Sequence, residues 1–208
     1  SKYLSYIMFT NNSVATPKTS RIAHSEDSER AFKELNTKFP IILKSSTGTQ
    51  TGVGVVVIES MRSLHAAVQM ILLYNKYLPI IIQEYIETDY DIRVAVCNGE
   101  IIGAMKRKVI VGDVRSNVSL GADAEEMELT ELEKSESIRI AELVKGKLVG
   151  VDLIPSKDRN KIKPYCIEVN ANLGFGGLEN TLKGSPTTTI LKSFLNRDNW
   201  TLDKSTET

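Results

Sequence analysis

The sequence predicts an α+β fold in which amphipathic helices accompany antiparallel strands. The strongest observation is the Asn98-Gly99 dipeptide between apolar runs at residues 90–97 and 101–111, because this dipeptide favours the tight turn of a β-hairpin. A second hairpin is predicted by two apolar runs that flank a glycine-rich loop at residues 45–54. Apolar residues at helical spacing between these runs predict the helices.

The first half of the chain has three predicted helices and three predicted strands. The segment 13–24 is predicted to be a polar loop, Ser25 can cap the second helix, and Pro40 stops it. The helices are predicted over residues 2–12, 25–39 and about 64–72, and the strands over residues 41–44, 55–60 and 80–86.

The second half continues the same pattern after the first hairpin described above. The acidic segment 123–136 is predicted to be a solvated loop and helix start, in which Thr130 caps together with Glu133. The tail from Asn196 is predicted to be frayed or disordered. Further helices are predicted over residues 138–148 and 178–195, and further strands over residues 149–154 and 162–169.

Composition indicates a globular protein and argues against two kinds of partner. The chain has 208 residues, enough for one domain or two closely packed lobes, and its 26 Lys and Arg residues balance its 26 Asp and Glu residues. A balanced charge gives no general attraction to nucleic acid or to a membrane surface, so neither is predicted as a partner. No apolar stretch has the length of a membrane span.

The two cysteines indicate a reducing compartment. Cys97 and Cys166 each lie inside an apolar run, VAVCNG and PYCIEV, which predicts two buried thiols rather than a disulfide. The first residues show no charged segment followed by an apolar run and a cleavage site, so no export signal is predicted. We therefore predict a cytoplasmic protein.

The glycine-rich hairpin is the first candidate for chemistry. Lys44 ends an apolar strand, and Gly48, Gly52 and Gly54 follow among several hydroxyl residues. Glycines let backbone amides approach a phosphate closely. The pattern is neither a P-loop nor a dinucleotide fingerprint, because no helix follows it. Taken alone it predicts a phosphate site or a flexible hairpin tip with equal weight.

Three oxygen-bearing side chains near the end of the chain predict a site for a hard cation. Asp152 lies within the strand GVDLI, and Glu168 and Asn170 project to one side of the strand IEVN, since alternate residues share a face. Mg²⁺ typically takes one or two carboxylates together with phosphate oxygens. For a lone buried aspartate, a paired or turn-capping carboxylate is the alternative.

Arginines in the central hairpin predict contact with an anion. Strand alternation places Arg107 with Gly103 and Met105, on the face opposite Lys106 and Lys108. An arginine on an apolar face needs an anionic partner, such as a phosphate or a carboxylate held by two hydrogen bonds. Further basic or polar candidates are Arg93, Arg115 and Asn117, although exposed charge is the ordinary role of such residues.

The order of these motifs resembles one enzyme superfamily. A lysine in the opening helix, Lys44, the glycine-rich hairpin, QEYI, DIR, GDVRSN, GVD and EVN follow one another from Lys2 to about Leu195. This order resembles the ATP-grasp superfamily and, within it, the RimK-type α-L-glutamate ligases, which add glutamates to the C-terminus of a small-subunit ribosomal protein. The combination of EVNA, GDVRSN and QEYI is specific, whereas each fragment alone is not.

The resemblance implies the ATP-grasp fold, in which two α+β lobes with antiparallel sheets hold ATP between them. It implies an N-terminal lobe with the glycine-rich hairpin at residues 1–86, a C-terminal lobe with the metal site at residues 87–197, and a flexible tail at residues 198–208. Family members carry an α/β domain before the position of Lys2. The chain is thus either part of a longer protein or a shortened enzyme, and both alternatives stay open.

The resemblance also implies roles for individual residues. Lys2 and Lys44 correspond to the lysines that contact the nucleotide phosphates, with Gly48 and Gly52 in the loop beside them, and Asp91 corresponds to the ribose contact. The other implied ATP-binding residues are Gln83, Glu84, Tyr85 and Ile86 in the adenine hinge, and Arg115, Ser116 and Asn117. The implied metal ligands are Asp152, Glu168 and Asn170, and the implied catalytic residues are Arg93, Arg107 and Arg115.

The implied activity is the ATP-dependent joining of a carboxylate to an amine, with Mg²⁺, or alternatively Mn²⁺, as the cofactor. The expected substrates are an amino acid such as glutamate and a peptide or protein C-terminus, and a homo-oligomer is compatible with the resemblance. Two alternatives are a small-molecule ligase of the glutathione-synthetase kind and a nucleotide-binding module without activity. The intact residues Lys2, Lys44, Asp152, Glu168 and Asn170 argue against the second alternative.

The sequence departs from the family pattern at several points that concern the substrates more than ATP. The glycine-rich loop has one extra residue around Thr51, and Thr47 stands where the family often has an acid. The link between QEYI and DIR is about two residues shorter. The segment ANLGFGG follows EVN, where the family more often has a proline and a glutamate.

Overall fold

Two antiparallel sheets organise the chain in a computed structural model that describes residues 1–46, 55–109 and 124–195. The predicted α+β fold with antiparallel sheets is confirmed. The strands of the first sheet lie within residues 19–84 and those of the second within residues 90–170. The lobe boundary at residue 86 stays a prediction, and the predicted tail lies outside the described residues.

The first sheet has four strands in the order β1-β4-β2-β3. Strand alternation sends Ile41, Leu43, Ile80 and Ile82 to one face, where they are buried under two helices in one apolar core. The elements of this part are helix α1 (Lys2–Asn11), strand β1 (Thr19–Ile22), a 3₁₀ turn (Ser25–Asp27), helix α2 (Ser28–Leu35), strands β2 (Ile41–Ser45) and β3 (Val55–Ile58), helix α3 (Met61–Tyr74) and strand β4 (Ile80–Glu84).

The second sheet has five strands in the order β7-β6-β5-β8-β9. One face is covered by helix α4, with Phe9 of α1 in the same apolar core, and part of the other face is covered by helices α5 and α6. The elements are strands β5 (Tyr90–Cys97), β6 (Glu100–Lys108) and β7 (Ala124–Glu126), helix α4 (Glu131–Leu143), strands β8 (Leu148–Ile154) and β9 (Tyr165–Asn170), and helices α5 (Phe175–Thr181) and α6 (Pro186–Leu195).

The face of the second sheet under α5 and α6 changes character along the strands. At one end Ala95, Cys97 and Met105 pack against Leu178 and Leu182. The other end is polar, because the register pairs Asp91 with Arg107, Arg93 with Asp152, and Asp152 with Glu168, and paired residues share a face. The apolar end thus packs against the helices, and the charged side chains are gathered at the polar end.

Two predictions for the first half of the chain were wrong in detail. The predicted helix over residues 25–39 ends at Leu35, because Asn36 adopts a left-handed conformation with φ of 45° that terminates it. Its start is a 3₁₀ turn held by a capping box between His24 and Asp27, rather than a cap by Ser25. The predicted polar loop contains strand β1, whose four residues are too few to show clear alternation.

The acidic segment is the clearest correction in the second half of the chain. Thr130 caps α4 with Glu133 as predicted, but the helix begins at Glu131 rather than near residue 138. Glu133 is fully buried, and Arg159 donates two hydrogen bonds of 2.8 Å to its carboxylate. The segment is therefore partly built into the fold, not solvated throughout.

The last predicted helix, over residues 178–195, is two helices. Gly184 has a φ of 98°, which a continuing helix excludes, and Pro186 then opens α6. Strand ends also shift: β4 stops at Glu84, and β9 starts at Tyr165, after the proline at position 164. The prediction of two buried free thiols at Cys97 and Cys166 is confirmed. Within the described ranges, the helices are too short or too polar to cross a membrane.

Candidate active site

A cavity of about 130 Å³ lies between α1, the first sheet and strand β9. Strand alternation places Lys44 and Gln83 on the cavity side of the first sheet, because Ile41 and Ile82 point into the apolar core on the opposite face. The lining residues are Ser1, Lys2, Ser5, Tyr6, Phe9, Thr16, Lys44, Ser46, Ile81, Gln83, Ile167, Glu168 and Val169. The cavity therefore joins both predicted phosphate-binding lysines to one predicted metal ligand.

The ammonium group of Lys44 is buried. Its side-chain nitrogen donates a 2.6 Å hydrogen bond to Oε1 of Gln83. Burial lowers the pKa of Lys44 from its ordinary value of 10.5 to about 8, while Glu168 opposes the shift and Lys2 adds to it. A lysine with this pKa remains mostly protonated at neutral pH, so the cavity wall presents a positive charge.

The lowered pKa of Lys44 predicts an unusual dependence of stability on pH. Between pH about 8 and the ordinary lysine pKa, the unfolded chain binds more protons than the folded chain, so stability rises with pH across this window. The rise is on the order of 3 kcal/mol for this residue. We expect the free energy of unfolding of the wild type, measured by chemical denaturation, to rise relative to that of Lys44→Met as the pH increases.

The matched control for that measurement is Lys161→Met, because Lys161 is exposed and its ion pair with Asp158 spans 3.7 Å. The difference between the wild type and this control is expected to stay constant over the same pH range. Parallel pH profiles for the wild type and Lys44→Met would show that burial does not shift the pKa of Lys44.

Lys2 is the second cation at the cavity, and it is paired with a carboxylate. Its side-chain nitrogen contacts Oε1 of Glu168 in a short ion pair. The backbone of the same residue donates a 2.9 Å hydrogen bond to the carbonyl of Ser46, which ties the start of α1 to the end of β2. The start of α1 is thus held between the two sheets.

Four charged residues form a chain across the polar end of the second sheet. Arg107 donates two hydrogen bonds of 2.7 Å to the carboxylate of Asp91 and approaches Asp152 at 3.3 Å. Arg93 donates to both oxygens of Asp152, at 2.7 and 2.6 Å. The order of the chain is therefore Asp91, Arg107, Asp152, Arg93, with positive and negative charges in alternation.

This alternation keeps the buried groups ionised. Burial favours the neutral form of Asp152, but the charges of Arg107 and Arg93 outweigh burial and hold the pKa of Asp152 below its usual range. Burial likewise opposes the charge of Arg107, but Asp152 and Asp91 outweigh it and raise the pKa of Arg107. Asp152 is consequently a carboxylate at any pH at which the protein is normally studied.

The three predicted metal ligands lie together on this face. Asp152 and Glu168 are directly opposed in the β8–β9 ladder, and the side-chain amide of Asn170 donates a 3.2 Å hydrogen bond to Asp152. Across the described part of the chain, no group of three or more His, Cys, Asp or Glu side chains could hold a metal. Two carboxylates and an amide oxygen are nevertheless the donor chemistry that Mg²⁺ prefers, so the set fits a hard cation.

The predicted adenine hinge follows the end of β4. Gln83 lines the cavity, whereas Glu84, Tyr85 and Ile86 are half-buried beside it and do not line it. The amide of Glu84 donates a 2.8 Å hydrogen bond to the carbonyl of Lys18. Asp91, the predicted ribose contact, directs its carboxylate to Arg107. These residues keep their predicted roles as proposals.

A family model described as a RimK-like ATP-grasp domain matches residues 1–194. The chain belongs to the RimK-like ATP-grasp family. The predicted resemblance to RimK-type ligases is thereby confirmed.

Relatives of this RimK-like chain carry related names. It is 30% identical over 199 residues to a probable alpha-L-glutamate ligase of Alcanivorax borkumensis, covering 95% of the chain and 63% of the relative. It is also 30% identical over 209 residues to probable alpha-L-glutamate ligase 1 of Hahella chejuensis, covering 100% of the chain and 66% of the relative. The chain thus spans slightly less than two thirds of these relatives.

Solved structures share the fold of the RimK-like chain. The ATP-grasp ligase PsnB, complexed with minimal precursor, Mg and ADP, superposes with a TM-score of 0.69 at 20% identity, covering 93% of this chain and 57% of that one. A RiPP-associated ATP-grasp ligase of Chryseobacterium gregarium, in complex with ADP and a leader and core peptide, gives 0.69 at 18% identity, covering 96% and 60%. These likenesses establish the ATP-grasp fold.

Several predicted site residues of the RimK-like chain cannot be placed. Gly48 and Gly52 of the glycine-rich hairpin lie outside the described residues, as do Arg115, Ser116 and Asn117. Their implied contacts with ATP, and the catalytic role of Arg115, stay predictions that rest on the family motif.

Part of the cavity wall was not predicted from the sequence. Ser5, Tyr6, Thr16 and Ser46 line it, although no motif singled them out. A signal was present in α1, because Lys2, Ser5, Tyr6 and Phe9 have the i, i+3, i+4, i+7 spacing of one helix face. This spacing would have been enough to predict that one face of α1 lines the site.

Proposed function

We propose that this chain is the nucleotide-binding and catalytic part of an ATP-dependent carboxylate–amine ligase. In the proposed reaction, glutamate or another amino acid is added to the C-terminal carboxylate of a peptide or protein. The observation that carries the proposal is the cavity between the two sheets, where two lysines and a carboxylate meet beside a row of ionised residues. The family match and the names of the relatives support it.

The cations in the cavity suit the phosphates of ATP. Lys44 and Lys2 both line the cavity, Lys44 from strand β2 and Lys2 from helix α1, so they can contact different phosphate groups. An ammonium in a partly dehydrated cavity attracts a phosphate far more strongly than one in bulk water. Solved neighbours bind ADP or Mg, which supports ATP and a divalent metal as the ligands proposed for this chain.

The proposed metal site uses Asp152, Glu168 and Asn170. When bound there, Mg²⁺ or Mn²⁺ neutralises charge on phosphate oxygens. Arg93, Arg107 and Asn170 already direct four contacts at the two oxygens of Asp152, so its position is fixed before any ligand arrives. The arginines therefore orient Asp152 and keep it ionised, and their own positive charges lie beside the proposed phosphate site.

The proposed chemistry has two balanced steps. An oxygen of the acceptor carboxylate attacks the γ-phosphorus of ATP, the bond to the β-phosphate oxygen breaks, and ADP leaves. The amine of the incoming amino acid then attacks the acyl carbon, loses a proton, and displaces inorganic phosphate. Neither step needs a side-chain nucleophile, so the protein's task is positioning and electrostatic stabilisation.

The proposed acceptor is a peptide or protein C-terminus. Two of the solved neighbours are complexed with a minimal precursor and with a leader and core peptide, which supports a peptide acceptor. We also propose a cytoplasmic location, supported by the two buried free thiols Cys97 and Cys166, and leave a homo-oligomer as a proposed assembly.

One experiment separates the proposed activity from its alternatives. The chain is incubated with ATP, Mg²⁺ and defined pools of amino acids and peptides, and ATP binding, phosphate release and product mass are measured. Phosphate release with a peptide that gains the mass of one or more amino acids supports the proposal. Turnover only with small molecules favours a glutathione-synthetase-like ligase, and ATP binding without phosphate release in any pool would establish a non-catalytic module.

A further inference from the structure

We propose that the side chain of Gln83 is a positioning residue that holds the ammonium group of Lys44 at the cavity wall. In this role Gln83 contributes to the binding of phosphates and not to recognition of the nucleotide base. The inference rests on the proposed function, because it assigns a task within ATP binding. It concerns only the side chain of Gln83. The backbone of the hinge keeps its proposed role in binding the adenine base.

Three side chains form a continuous hydrogen-bonded line. The hydroxyl of Thr19 donates a 3.0 Å hydrogen bond to the carbonyl of Pro17 and accepts a 2.8 Å bond from Nε2 of Gln83. Oε1 of Gln83 accepts the 2.6 Å bond from Lys44. Both ends of the Gln83 amide are thus engaged, and its orientation is determined by the backbone carbonyl of Pro17 through one hydroxyl.

The strand register builds this line into the sheet. Thr19 of β1 and Gln83 of β4 are directly opposed, and Lys44 of β2 lies diagonally across from Gln83 on the same face. All three residues are buried, with exposed fractions of 6%, 6% and 7% in the order Thr19, Gln83, Lys44. Buried polar groups at such positions require partners, so breaking the line at one residue leaves the next without its partner.

The chemistry of the partner distinguishes Lys44 from Lys2. Lys2 is paired with the carboxylate of Glu168, so its positive charge is largely compensated. The partner of Lys44 is a neutral amide, which accepts a hydrogen bond without cancelling the charge. Gln83 therefore holds a cation in place and leaves its field directed at the cavity, which is the arrangement that suits a phosphate.

Fixing the lysine before the ligand arrives strengthens binding. A lysine side chain has four rotatable bonds, and ordering them on ligand binding opposes association. The hydrogen bond to Gln83 orders the end of the chain in advance. Loss of this preorganisation is expected to lower the affinity by about tenfold, which lies within the free energy of a hydrogen bond to a charged group.

The test compares nucleotides that share a base and differ in phosphates. Affinities for ATP, ADP and adenosine are measured by calorimetry for the wild type, Gln83→Leu and Thr19→Val. We expect Gln83→Leu to weaken ATP about tenfold or more, to weaken ADP in the same direction, and to leave adenosine unchanged. Thr19→Val keeps the shape of the side chain and is expected to have a smaller effect with the same pattern.

The matched control is Gln69→Leu, the same substitution on the exposed face of α3. It is expected to leave all three affinities unchanged. Thermal melting checks that each variant is folded. If Gln83→Leu does not fold, Thr19→Val provides the same test. Equal weakening of adenosine and ATP would overturn the proposal in favour of base recognition, and unchanged ATP affinity in both variants would also overturn it.

A second readout needs no nucleotide and separates this inference from the proposed function. In the protein labelled with ¹⁵N-lysine, the ammonium protons of Lys44 are expected to exchange slowly with water, because the group is buried and hydrogen-bonded. Gln83→Leu is expected to speed that exchange by about tenfold or more. If the wild type binds no ATP, the proposed function fails, while unchanged exchange in Gln83→Leu shows that Gln83 does not hold Lys44.

Discussion

Replacing Glu168 with alanine is expected to abolish ATP turnover and to leave the fold intact. The side chain of Glu168 keeps a third of its surface exposed, and its ion pair is with Lys2 at the cavity wall. Its removal therefore opens no cavity in an apolar core. A metal ion stabilises transferring phosphoryl oxygens by several kcal/mol, so losing one of its proposed ligands corresponds to at least about a hundredfold loss of rate.

The measurement is phosphate release with Mg²⁺ and ATP, accompanied by ATP affinity with and without Mg²⁺. Glu168→Ala is expected to lose the gain in affinity that Mg²⁺ gives the wild type, while its melting temperature stays within about 2 °C. The matched control is Glu126→Ala, an exposed carboxylate on β7 of the same sheet. Full Mg²⁺ dependence in Glu168→Ala would remove Glu168 from the proposed metal site.

Replacing Asp152 with alanine is expected to destabilise the protein strongly. Asp152 receives two hydrogen bonds from Arg93 and one contact from Arg107, and the side chain of Arg93 is only 15% exposed, whereas Arg107 keeps its pair with Asp91. Removing a partner from a buried ion pair leaves an uncompensated charge, which typically costs about 3–5 kcal/mol. For a chain of this size that corresponds to a fall in melting temperature of about 10 °C.

Thermal and chemical denaturation of Asp152→Ala measure this effect, and Asp158→Ala serves as the control. Asp158 forms an exposed pair with Lys161, which typically contributes less than about 1 kcal/mol. The contrast between Asp152 and Glu168 separates two roles, since both are proposed metal ligands but Asp152 also holds the charge chain together. A melting temperature of Asp152→Ala equal to that of the wild type would mean that Arg93 finds another partner.

Local patterns in the sequence predicted most of the secondary structure. The Asn98-Gly99 turn and the alternation of β8 and β9 follow from geometry within a few residues, so the shared face of Asp152, Glu168 and Asn170 was predictable. The break between α5 and α6 also had a local signal, the Gly184-Ser185-Pro186 run, which periodicity alone obscured.

Tertiary pairing explains what the sequence did not reveal. Arg107 was predicted to need an anion and Arg93 was a further basic candidate, but their partners Asp91 and Asp152 come from other strands and depend on the order of the sheet. The hydrogen bond between Lys44 and Gln83 also joins residues far apart in the chain. Strand β1 was missed because its four residues are stabilised by pairing with β4 rather than by their own pattern.

The most direct test of the central claim, ATP-dependent activation of a carboxylate, is the fate of the carboxylate oxygens. A peptide acceptor labelled with ¹⁸O in its C-terminal carboxylate is incubated with the chain, ATP, Mg²⁺ and glutamate, and the inorganic phosphate is analysed by mass spectrometry. Our account predicts one ¹⁸O atom in the phosphate for each amide bond formed, because the acyl phosphate gives up a carboxylate oxygen when the amine attacks. Amide formation with unlabelled phosphate would contradict it.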